Sequence, residues 1–84
     1  MEKIKTLMLA LEKASERMKT VEQAYTEDYT NAKLEEEFNR TYAIEWNIRK
    51  ELATEISLLT GIDFKFVFHE LTYSPKFAEL IKSI

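Results

Sequence analysis

Cysteine is absent from these 84 residues, and glycine and proline occur once each, as Gly61 and Pro75. Without cysteine there is neither a disulfide framework nor a thiolate zinc site. One glycine leaves no phosphate-cradling Gly-rich loop and no Gly-x-Ser-x-Gly nucleophile elbow. The same shortage argues against a loop-rich β-protein, whose tight turns draw on glycine and proline. No apolar run approaches the roughly 18 residues that a spanning helix needs. The longest, Leu7 to Leu11, is too short for the apolar region of a signal peptide and is followed by Glu12 and Lys13. The expectation is a cytoplasmic chain with no signal peptide and no membrane contact.

What is present is apolar residues at 45% and charged residues at 32%, with a net charge of -3. That balance fits a globular chain with a core and a soluble surface. At 9.9 kDa the chain makes one domain, residues 1–84. A domain of this size buries only about 60–65% of the surface its unfolded form exposes, which excludes a large catalytic fold.

Apolar residues at 4, 7, 8, 11, 14, 18, 21 and 25 have the three-and-four spacing of an amphipathic helix. Read as heptads, Ile4, Leu11, Met18 and Tyr25 form one column and Leu7, Ala14 and Val21 the next. The segment from Thr26 to Asn31 breaks the pattern with small polar residues, and Thr30 or Asn31 can cap a second helix. That helix runs to about Thr60, with Gly61 placed for a left-handed C-terminal cap. At 100° per residue Leu34, Phe38, Tyr42, Ile48, Leu52, Ile56 and Leu59 share an arc of roughly 120°. Ile44, Trp46, Ala53 and Leu58 spread beyond it, so something must cover the second half of this helix on more than one side.

The segment from Ile62 to His69 reads two ways. Apolar residues alternate as in a strand, yet 64, 67, 68 and 71 fit a helix. With no second strand in the chain to pair with, a helix capped by Asp63 is the better reading. Ser74 followed by Pro75 is an N-cap with proline at the first helical position, and Phe77, Leu80, Ile81 and Ile84 supply a stripe. The expected fold is all-α: a long antiparallel helical hairpin of about 35 Å and 45 Å, with two short C-terminal helices on its distal half.

For function the residues exclude more than they assign. Glu45 stands at the centre of the apolar arc, where an unpaired carboxylate is costly. Arg49, one turn later, is its expected ion-pair partner. His69 is the only histidine, so no helical zinc pair exists and no Glu-x-x-His repeat offers a bridged metal site. Nothing near His69 and Glu70 resembles a positioned nucleophile or an oxyanion donor set. Neither enzyme activity nor a cofactor or metal is expected.

Residues 22 to 37 hold six acids against Lys33 alone, which makes the hairpin tip acidic. One reading is a solvated turn whose acids favour the start of the second helix. The other is a contact surface for a basic protein, with Tyr25, Glu27, Asp28, Tyr29, Glu35, Glu36 and Glu37 as partner-binding residues. On this second reading the chain is a regulator, inhibitor or assembly factor. An alternative is a helical oligomer holding a small ligand against Tyr42, Glu45, Trp46 and Arg49; another is mimicry of nucleic-acid phosphates. Direct nucleic-acid binding is disfavoured by a pI near 5.2 and by scattered basic residues, of which Lys3, Lys13, Arg17, Arg49 and Lys50 form a patch only if packing gathers them. The surplus of Ile44, Trp46, Leu58, Phe64, Phe66 and Phe68 is either a homodimer surface or the completion of a monomer core.

Overall fold

The structure, a computed structural model, describes residues 2–83 and contains four helices: α1 (Glu2–Glu27), α2 (Ala32–Thr60), α3 (Phe64–Tyr73) and α4 (Pro75–Lys82). The all-α hairpin with two short helices on its distal half is therefore the observed architecture, with overall dimensions of 44 × 20 × 20 Å.

Each boundary has a local cause. Asn31 is the cap of α2: its side chain accepts from the backbone N–H groups of Lys33 at 3.0 Å and Leu34 at 3.3 Å. This satisfies donors that the first helical turn leaves without a partner. Gly61 ends α2 at φ 77°, with its N–H donating to the Ser57 carbonyl. A Cβ there meets no atom within 4 Å, so glycine is required by the backbone angle alone. The Ser57 hydroxyl then donates to the Ile62 carbonyl at 2.6 Å and ties the connection to α2. The ambiguous segment is helical. Asp63 occupies the N-cap position of α3, but its side chain makes no capping hydrogen bond. Ser74 does cap α4, accepting from the Phe77 N–H, with Pro75 at the first helical position.

The core gathers Ile4, Met8 and Leu11 of α1, Leu52, Ala53 and Ile56 of α2, Val67 and Leu71 of α3, and Ile81 of α4. All of these lie at the end of the hairpin away from the α1–α2 turn. Phe64, Phe68 and Phe77 pack against them half-buried. At this end Lys3 bridges to Glu55 at 3.0 Å and to Glu51 at 3.9 Å. The hydrogen bond that Lys3 donates to the Glu55 carboxylate, and then the charge of Glu55, raise the Lys3 pKa above the usual ammonium value. A raised ammonium pKa stabilises the fold below the unfolded value, and that contribution disappears as pH rises through the folded one.

Several apolar positions lie outside the core. Leu58, beyond the arc of α2, is 77% exposed; Leu59, Tyr42 and Leu80 are also exposed, although the arc of α2 and the stripe of α4 point them inward. For Leu58 and Leu59 the reason is that α3 turns back immediately after Gly61 and covers α2 at Leu52, Ala53 and Ile56, so the last turn of α2 projects past its cover. Ile84, the last member of the stripe, lies outside the described residues. Conversely, Thr41 is 3% exposed. It lies in the heptad column Leu34–Thr41–Ile48, and that spacing is the signal by which the sequence could have placed it.

Candidate functional site

Beyond the core, towards the turn, α1 and α2 have only each other. Val21 and Thr41 are buried between them, and two groups of aromatic rings stand on α2, one near the turn and one beside α3. Tyr25 packs on Phe38 with centroids 5.2 Å apart, Phe38 stacks on Tyr42 at 6.5 Å, and Trp46 meets Phe68 edge-on at 5.6 Å. The first group lies beside the acidic turn and the second where α3 begins to cover α2.

The seven tip residues do not act alike. Tyr25 is half-buried against Phe38, whereas Tyr29 is 72% exposed. Asp28 is occupied by the turn itself, accepting from the Thr30 hydroxyl at 3.5 Å and the Asn31 side chain at 3.2 Å. Glu36 pairs with Arg40 at 3.6 Å and Glu37 with Arg17 across the hairpin at 2.9 Å. Their negative charge is thus partly compensated. Glu27 and Glu35 are exposed and have no ion-pair partner among the described residues, with Glu27 accepting only from Gln23 at 3.5 Å.

The second residue set also divides. Arg49 donates to Glu45 at 2.5 Å, and the two side chains are only 14% and 16% exposed, which is the pairing expected from their spacing. Arg49 Nε is buried without a hydrogen-bond partner. An open groove of about 480 Å³ lies between α1, α2 and the short helices, with Met8, Leu11, Leu71 and Ala78 on its apolar side and Ser15, Lys19 and Arg49 among its polar lining. Of Tyr42, Glu45, Trp46 and Arg49, only Arg49 lines it. Tyr42 and Trp46 are instead exposed on α2, and Lys50 stands 5.6 Å above the indole.

Packing leaves most of the basic residues apart; Lys13 and Arg17, one turn apart on α1, border one shallow groove together with Glu16 and Glu37. Lys3 goes to Glu51 and Glu55, Arg17 to Glu37, Arg49 to Glu45 and Lys50 to Trp46. The His69 ring lies exposed between Glu70, at 3.8 Å, and Tyr73. Among the described residues no three histidine or acidic side chains come together in a way that could hold a metal ion, and no helix is long and apolar enough to cross a membrane. Of the surplus aromatics, Phe64 and Phe68 complete the core of the single chain, while Ile44, Leu58 and Phe66 remain exposed and Trp46 is 41% exposed. No protein-family model, curated protein or solved structure matches this chain.

Proposed function

We propose that this chain is a small non-catalytic binding protein of the cytoplasm, a regulator, inhibitor or assembly factor, that engages a protein with a basic surface through the tip of its hairpin. The observation that supports the reading is the uneven compensation of the tip acids. Glu36 and Glu37 are partly neutralised by Arg40 and Arg17, but Glu27 and Glu35 flank the exposed Tyr29 with no ion-pair partner among the described residues. Uncompensated acids steer a cationic surface into contact, and a rigid tyrosine supplies contact area at small entropic cost. Asp28 and Tyr25 hold the turn and the seam in shape rather than touch the partner.

The test is cross-linked affinity capture from host extract with the wild type and with Glu27→Lys combined with Tyr29→Ser. Both sites are exposed, so the helical CD signal and Tm should stay unchanged. The expected result is loss of the captured partner in the double variant, and a wild-type complex that weakens as salt is raised. Equal capture by both proteins overturns the proposal.

A further inference from the structure

We propose that two copies of the chain pair antiparallel along α2, on a two-fold axis that passes between Tyr42 and Ala43. The proposal assigns Glu35, one of the open tip acids, to a second copy of the chain; the tip reading is tested at Glu27 and Tyr29, which this contact does not use, so the two can fail separately. It rests on an exposed stripe of α2: Glu35, Asn39, Tyr42, Ala43, Trp46 and Lys50. At 100° per residue these six occupy an arc of about 100°. Their spacing along the chain is the same read in either direction from the midpoint between Tyr42 and Ala43, and their chemistry reverses across it.

An isologous contact requires such a pattern, because residue i of one copy must suit residue j of the other and the reverse. Here an antiparallel copy sets Glu35 against Lys50, Asn39 against Trp46 and Tyr42 against Ala43, each pair occurring twice. Acid meets base, and each large ring meets a small side chain. Neither Glu35 nor Lys50 has an ion-pair partner among the described residues; Lys50 only overlies Trp46. The shape of the chain agrees with this arrangement. Short helices cover one half of each hairpin and leave the other bare, so an antiparallel copy sets α3, which carries the exposed Phe66, alongside the bare half of its mate. From Glu35 to Lys50 the stripe spans about 22 Å. A single helix face of that length falls below the roughly 800 Å² per partner of a standard interface. The complex is therefore expected at the weak, concentration-dependent end.

The experiment is light scattering after size exclusion, from about 1 μM to about 1 mM protein. The variants are Glu35→Lys, Lys50→Glu, the two singles mixed, and the double exchange on one chain. The wild type should pass from 9.9 kDa to twice that mass as concentration rises. Each single variant places like charges opposite each other at both ends and should dimerise at least about tenfold more weakly. The mixture should dimerise as a heterodimer, and the double exchange as a homodimer, because both restore opposite charges. A wild type that stays monomeric throughout overturns the proposal. So do single variants that dimerise normally, or a mixture and double exchange that both fail to recover.

Discussion

Glu45 and Arg49 carry a charge pair into a largely buried position next to the apolar core. Removing two ions from water is costly, and their attraction repays the cost only while both are present. Arg49→Met leaves the Glu45 carboxylate largely buried with no cation. The expected loss is about 2 kcal/mol, less than the roughly 3–5 kcal/mol of a fully enclosed pair because both side chains keep some exposure. Replacing both, with Glu45→Leu and Arg49→Met, should return stability to within about 1 kcal/mol of the wild type, since the apolar pair also removes the orphaned Nε. Urea denaturation of the two singles and the double measures this coupling. Additive losses would show that the pair contributes nothing as a pair.

At the scale of elements, the two short helices start in different ways, and the difference can be measured. Ser74 accepts a hydrogen bond from the Phe77 N–H, so Ser74→Ala should cost about 1 kcal/mol. Asp63 sits at the equivalent place on α3 without such a bond, so Asp63→Ala should lose only a few tenths of a kcal/mol from the helix dipole. Equal losses in a thermal melt would contradict this assignment. The starts and stops of the helices were legible because they depend on neighbours in sequence: Asn31 before Lys33 and Leu34, Gly61 after Thr60, Ser74 before Pro75. What the chain does not state locally is the register of α1 against α2. Arg17 and Glu37 are twenty residues apart, and their pairing, which removes Glu37 from the open tip acids, follows only from packing. The outward turn of Leu58 and Leu59 likewise depends on where α3 comes to rest. Glu45 and Arg49, one helical turn apart, needed no such knowledge.

For the whole molecule, one core at one end implies a gradient of stability along the hairpin. Amides of α1 near Met8 and of α2 near Leu52 can exchange only when the four-helix core opens. Those near Val21 and Thr41 are protected by two helices alone. Hydrogen exchange should therefore be slowest at residues 4–14 and 48–57 and faster, through local opening, at residues 20–43. Uniform protection along α1 and α2 would mean that the hairpin opens as a single unit. The gradient follows from the distribution of buried side chains, and the heptad columns, which continue to Tyr25, gave no warning of it.

A core gathered at one end of a long hairpin gives the molecule the mechanics of a cantilever. The beam is clamped where Leu52, Ile56 and Val67 meet, and its free end carries Tyr29, so a sideways load at the tip acts through much of the 44 Å long axis. The torque is greatest where the clamp begins, at the edge-on contact of Trp46 with Phe68. The chain's single indole thus sits at the fulcrum, where its emission would register a bend imposed by whatever grips the distant end.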